Sequence, residues 1–207
     1  MENNLINIRQ KYLIAGLGNP GREYKNNRHN VGFMFADHLA RRLGIAFNQL
    51  KSKALITTTD YQGHFLVLAK PQTFMNLSGH PLVALLHYYK IPLVHFLVAY
   101  DDIDLPFGNL RMRSEGGSGG HNGMNSIIEK IGRLDFPRLR IGINRPPGKM
   151  DPASYVLQDF SKLEIEALPG ILEKAVDAAL YFVNNSIEAA MNQYNSFSIH
   201  PETMKEE

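Results

Sequence analysis

Gly16-Leu17-Gly18-Asn19-Pro20-Gly21, directly after the apolar run Tyr12-Leu13-Ile14-Ala15, fits a dinucleotide-binding fingerprint letter for letter. Its surroundings argue against that reading. A cofactor loop needs its third glycine to open a helix, so that free backbone N–H groups face a pyrophosphate. Here Gly21 leads into Arg22-Glu23-Tyr24-Lys25-Asn26-Asn27-Arg28-His29-Asn30, a polar run without helical period, and Pro20 has no N–H to offer. The acidic residue near the expected distance, Asp37, sits in a helical pattern rather than at the end of a second strand. The stretch reads instead as a strand over about 11–17, a polar loop to Asn30, and an amphipathic helix over about 31–43 that stops at Gly44.

Outward from there, strands alternate with helices. Residues 55–59 and 65–69 flank Tyr61-Gln62-Gly63 as a hairpin, and a loop over 70–76 leads into a helix over about 78–89, with Pro81 in its first turn. The run 94–100, closed by Asp101-Asp102, has the pattern of a strand buried on both faces. Leu110-Arg111-Met112-Arg113 alternates, which places both arginines on one face of a strand. A glycine run from 116 to 123 feeds a helix over 124–131, residues 139–143 form a further strand, and 144–150 is a loop. The C-terminal part, 161–194, is helical and acidic, with expected interruptions at Pro169-Gly170 and around Asn184-Asn185. The sum is a single α/β domain over 1–207 with a mixed, twisted β-sheet flanked by helices, an N-terminal extension (1–10) and a C-terminal tail (196–207).

Composition narrows the function. The 207 residues include no cysteine, which excludes a disulfide framework and a thiolate zinc site. Neither a signal peptide nor a run of eighteen apolar residues is present, so the expectation is a cytoplasmic protein. The net charge is only +2, but residues 108–149 carry eight Lys and Arg against three Asp and Glu, while 150–207 carry three against ten. A basic middle of that kind, with Arg111, Arg113, Arg133, Arg138, Arg140, Arg145 and Lys149, suits an anionic partner as well as it suits a solvated face.

Four polar clusters fall in loops or where strands give way to helices: Asn19 with Tyr24 and His29, Met75-Asn76, Asp101-Asp102, and His121-Asn122. One histidine, one carboxylate and several amides make a hydrolytic kit. The imidazole takes a proton from water, the carboxylate orients it, and the amides donate to carbonyl oxygens. The competing kits fare worse. There is no His-Glu-x-x-His pair, no Gly-Lys-Ser/Thr ending to the glycine run and no Gly-x-Ser-x-Gly elbow, and the calcium-like start at Asp101 is spoiled by Leu105-Pro106.

Five blocks in order, Gly16–Gly21 with Tyr24 and Arg28-His29-Asn30, Thr73–Gly79, Asp101–Pro106, Gly119–Gly123 and Arg138–Ile143, together resemble the bacterial peptidyl-tRNA hydrolase family from about residue 11 to 194. The resemblance implies a monomeric enzyme, free of metal and cofactor, that hydrolyses the ester between a peptide and the 3′ ribose of tRNA. By position it implies His29 as general base and Asp101 as its orienting partner. Asn19, Asn76 and Asn122 would bind the peptidyl-ester end, Met75 would line that pocket, and Tyr24 would wall it. Arg113 and Arg140 would clamp the tRNA 5′-phosphate, and His121 has a less defined place. Two departures stand out: Tyr100 takes a place where some relatives have His, and the tail after Ser196 is acidic where others are basic. The alternatives are a non-catalytic RNA-binding module on the same fold, which loss of His29 or Asp101 would have favoured, and a dinucleotide-dependent oxidoreductase.

Overall fold

A computed structural model describes residues 9–195. It holds one seven-stranded sheet, in the order β2-β3-β4-β1-β5-β7-β6. The strands are β1 (Lys11–Gly16), β2 (Gln49–Lys51), β3 (Ala54–Tyr61), β4 (His64–Pro71), β5 (Phe96–Asp102), β6 (Leu110–Arg113) and β7 (Arg138–Gly142). The four central strands β4-β1-β5-β7 run parallel, and the strands outside them are antiparallel. The mixed sheet expected from the sequence is thus present. The expected N-terminal extension and C-terminal tail, apart from Arg9 and Gln10, lie outside the described residues.

Helices cover both faces: α1 (Val31–Arg42), α2 (Gly79–Tyr89), α3 (Asn122–Ile131), α4 (Pro152–Val156), α5 (Lys162–Asn184) and α6 (Ile187–Tyr194). The period-2 alternation of β1 assigns the layers. Tyr12 and Ile14 pack with α1 and α5, whereas Leu13 and Ala15 pack with α2 and α3. Three layers result, with the parallel strand ends pointing toward one rim.

The fingerprint glycines serve packing. A Cβ on Gly16 would run into the Gly32 carbonyl, and one on Gly32 would strike the backbone of Leu17 and Ala99. Two side-chain-free positions therefore let α1 press directly on the ends of β1 and β5, fixed by hydrogen bonds from Leu17 N–H to Ala99 O (2.9 Å) and from Phe33 N–H to Leu17 O (3.0 Å). Gly18 lies under the Phe33 ring, and Gly21 has φ +125° and opens only the short 3-10 turn Arg22–Tyr24. No helix starts there.

One expectation fails outright: α5 runs unbroken through Pro169-Gly170. Proline costs a helix one hydrogen bond and a clash with the preceding turn, about 3 kcal/mol. Ala167 and Leu168 before it and Ile171 and Leu172 after it all join the same core cluster, so burial on both sides carries the helix across the defect. A capping box of Ser161 and Glu164 secures its start. The sequence also places the end of β5 one residue pair too early, since Asp101 and Asp102 are still in the strand. The small β2 and α4 were not expected at all.

Candidate active site

At the rim, the last residues of β5 separate two sites. Successive strand residues face opposite sides, so Asp101 turns toward α1 while Asp102 shares the α3 side of the sheet with Tyr100. His29 stands in the 3-10 turn Arg28–Asn30 immediately before α1, where the glycine contact of β1 and α1 brings it over Asp101. Its Nδ1 lies 2.9 Å from each Asp101 carboxylate oxygen. The turn is anchored from behind by Arg28, which donates to Asp159 O (2.6 Å), pairs with Glu164 (2.7 Å) and sits over the Tyr155 ring.

His121 closes the arrangement. It is the N-cap of α3, and its Nδ1 accepts the N–H groups of Gly123 (3.1 Å) and Met124 (3.2 Å). An Nδ1 that accepts two N–H groups carries no proton, so the Nε2–H donates to Asp101 Oδ1 at 3.0 Å. Asp101 therefore receives two imidazole N–H groups in a buried position. Burial pushes its carboxyl up, and the fields and hydrogen bonds of His29 and His121 overrun this and hold it well below the usual carboxylate range. An ionised Asp101 requires the proton of His29 on Nδ1, which leaves Nε2 with a free lone pair. Burial lowers the His29 pKa, but the Asp101 charge and hydrogen bond more than reverse this, so it lies above the ordinary 6.5.

Around the dyad is a cavity of about 390 Å³ lined by His29, Asp101, Gly119, Gly120, His121 and Asn122 among others. Asn19 lines a separate cavity of about 710 Å³ with Asn30 and Phe33, and is fixed there by a reciprocal pair: Asn19 N–H donates to Asn30 Oδ1 (2.8 Å) and Asn30 Nδ2 to Asn19 O (2.9 Å). Its own Oδ1 accepts Met75 N–H at 2.8 Å. The Asn19 side chain thus spends its acceptor internally and keeps its Nδ2 donors for something else. Met75 is buried and presses on α3 at Gly123, where a Cβ would come within 2.6 Å of its sulfur.

On the other side of the sheet, Arg113, Arg138 and Arg140 border a third cavity of about 240 Å³. Antiparallel register sets Arg113 opposite Arg138 and Arg111 opposite Arg140. Two carboxylates, Asp102 and Glu115, share the cavity lining with the three guanidiniums, leaving a net positive site. Asp102 pairs with Arg140 Nε.

The sequence profile of the peptidyl-tRNA hydrolase family matches residues 13–202. The chain belongs to the peptidyl-tRNA hydrolase family. It is 49% identical over 185 residues to the peptidyl-tRNA hydrolase of Chloroflexus aurantiacus, covering 89% of this chain and 98% of that one. The Thermoanaerobacter relative is 49% identical over 184 residues, covering 89% and 99%. Among solved structures, peptidyl-tRNA hydrolase from Acinetobacter baumannii superposes with a TM-score of 0.84 at 37% identity, covering 90% of this chain and 95% of that one.

Against that family frame, the expected residues fall into groups. His29 and Asp101 meet at the rim with Asn122 on their cavity, Asn19 and Met75 bond to each other with Asn19 on a separate cavity, and Arg113 and Arg140 share the third cavity. Asn76 is exposed in the 3-10 turn Met75–Leu77, and Tyr24 is half-buried in the turn after Gly21; neither lines any of those cavities. Asn30, which orients Asn19, and Arg28, which anchors the His29 turn, carried no sequence signal beyond their place in the Arg28-His29-Asn30 block.

Among the described residues, His29, Asp101 and His121 form the one group with metal-ligand spacing, their donor atoms lying within 4.8 Å. Its chemistry suits a hydrogen-bonded dyad better than a cation. With Nδ1 committed to the α3 backbone, His121 can offer Nε2 to a metal only by giving up its cap or becoming an imidazolate.

Proposed function

We propose that this chain hydrolyses the ester linking a peptide to the 3′ end of tRNA by water attack with His29 as general base. The supporting observation is the free Nε2 of His29 facing a cavity while Nδ1 is held by an ionised Asp101. His29 Nε2 removes a proton from water as the water oxygen bonds to the ester carbonyl carbon. The bond to the ribose 3′ oxygen then breaks, and the imidazolium returns the proton to that leaving oxygen. An ester is an activated acyl group, so one base and a few amide donors suffice. The action is read as metal-independent, monomeric and cytoplasmic; no helix among the described residues is long and apolar enough to cross a membrane. Purified protein should deacylate N-blocked aminoacyl-tRNA at the same rate with and without EDTA. No release of the amino acid would overturn the reading.

The raised His29 pKa sets a pH dependence. The base must be neutral to work, so kcat/KM should rise with pH through a midpoint above 6.5. A midpoint at or below 6.5 would mean that Asp101 is not ionised beside His29.

Asn19 and Asn122 supply donors for the peptide group in this reading. Strong preference for N-acylated over free aminoacyl-tRNA follows, since a donor built for the peptide carbonyl goes unpaired on a free amine. Asn19→Asp is the clean test, because a carboxylate can still accept Met75 N–H while offering no amide donor. That preference should shrink in the variant; an unchanged preference would remove Asn19 from substrate recognition.

Arg113 and Arg140 are assigned to the tRNA 5′-phosphate. A phosphate contact remote from the ester stabilises substrate and transition state alike, so each change to Ala should raise KM and leave kcat within a few-fold. The log–log salt dependence of tRNA binding should flatten by about one unit or less per arginine. Equal losses on a short 3′-aminoacylated mimic without a 5′-phosphate would place them at the chemistry instead.

A further inference from the structure

Between the dyad cavity and the arginine cavity runs a single wall. Ser118 and Gly119 line both of them, as do Tyr100 and Asp102 from β5. The wall segment, residues 116–120, is glycine at four of its five positions, with Ser118 its one side chain beyond hydrogen. Gly116, Gly119 and Gly120 have φ of +147°, +60° and +81°, conformations open to glycine and also the most costly in backbone entropy. Within the segment, order comes from Gly120 N–H donating to Ser118 Oγ (3.3 Å) and His121 N–H donating to Ser118 O (3.1 Å). Its far end passes directly into His121, the residue that holds Asp101 and caps α3.

Its near end is held by Arg138. This side chain is 1% exposed, lies over the Phe136 ring, and aims its donors at backbone carbonyls. Nη1 donates to Gly116 O (2.6 Å) and Gly117 O (2.9 Å), and Nη2 to Leu134 O (2.7 Å). Gly116 N–H reaches the same Leu134 O at 3.3 Å. The Tyr100 phenol and the Glu115 charge also favour the cation, but among the described residues no carboxylate accepts a hydrogen bond from Arg138. A buried cation solvated by carbonyl dipoles is a costly device, and here two of the carbonyls, Gly116 O and Gly117 O, belong to the segment that needs fixing, while Leu134 O ties it to the start of the β7 approach. The guanidinium serves these carbonyls from two nitrogens at a fixed spacing, an arrangement the single nitrogen of a lysine ammonium does not reproduce.

We infer that Arg138 is a positioning residue for the catalytic centre, setting the glycine wall 116–120 so that occupancy of the arginine cavity and placement of His121 against Asp101 depend on one another. This rests on the hydrolase reading above. Loss of a phosphate contact alone shows only in KM for tRNA. Loss of the anchor should show on both sides of the wall: a raised KM for full peptidyl-tRNA and a kcat lowered about tenfold on the short mimic without a 5′-phosphate, since small misplacements remote from the reacting atoms are costly.

The test perturbs the contact from each side. Arg138→Lys keeps the charge and loses the fork; Gly116→Ala leaves Arg138 in place and strains the anchored carbonyl through its φ of +147°, the added Cβ making only an ordinary contact with Nη1 (3.7 Å). Wild type, both variants and the pair are assayed on both substrates, with thermal melting to select folded proteins. The expected result is the double signature in each folded variant, with the pair losing less than the sum of the two. A folded variant with wild-type kcat on the mimic overturns the inference, and if Arg138→Lys does not fold, Gly116→Ala alone decides. A wild-type protein inert on both substrates would instead defeat the hydrolase reading itself.

Discussion

His29→Ala should lower kcat on N-acylaminoacyl-tRNA by about 10²–10⁴ while the Kd for tRNA stays near its wild-type value. The size follows from what remains. Water is still bound near the ester and the amides still donate to its carbonyl, but nothing takes the proton. The His29 side chain is a wall of the cavity rather than a core plug, so α1 and the sheet keep their packing. One side effect is specific: Asp101 would be left buried with a single N–H donor, from His121, and its carboxyl would rise toward the ordinary range. His29→Gln removes the base and can restore an N–H toward Asp101. The two variants should therefore be equally inactive, with Gln the more stable in thermal melting. Turnover near wild type in either would show that the base lies elsewhere.

The sequence carried the succession of strands and helices and the mixed sheet because hydrophobic period is a local property, and β1, β5 and α1 display it plainly; the order of strands within the sheet is set by long-range pairing and was not legible. It carried the convergence of His29 and Asp101 only through resemblance, since nothing local brings together residues seventy-two positions apart. What decides that meeting is the Gly16 and Gly32 contact. Gly16 was visible as part of a fingerprint with another meaning, and its work appears only when Gly32 is seen against it. The division of labour between Asp101 and Asp102 was hidden for a similar reason. Placed after the strand, they read as one acidic pair; placed within it, alternation turns Asp101 to His29 and His121 and Asp102 to Arg140, so that only Asp102 reaches the arginine cavity. Pro169 misled because propensity is local and the burial that overrides it is not. Arg138 was counted among the basic residues of the middle segment, yet its donors face carbonyls rather than solvent.

Asp101→Asn should cost about 10²–10⁴ in kcat, an effect larger than the loss of one charge would suggest. The reason is His121. Its Nδ1 is bound to two backbone N–H groups of α3, so its proton is pinned on Nε2 and points at position 101. The carboxylate answers both imidazoles because all its lone pairs accept. An amide offers one oxygen and one NH₂. If the oxygen serves His121, the NH₂ faces His29 and turns Nδ1 into an acceptor, which moves the His29 proton to Nε2 and removes the base's lone pair. If the oxygen serves His29, the NH₂ opposes the pinned Nε2–H of His121 and the cap of α3 is strained. Either outcome slows the reaction, and the molecule settles between them. Loss of the negative charge should also shift the acid limb of the pH profile to lower pH, because the field that raised the His29 pKa is gone. The measurement is kcat and its pH midpoint for Asp101→Asn beside wild type on the same N-acylated substrate. A variant within threefold of wild type, with its midpoint unmoved, would mean that Asp101 neither fixes the tautomer nor holds the charge.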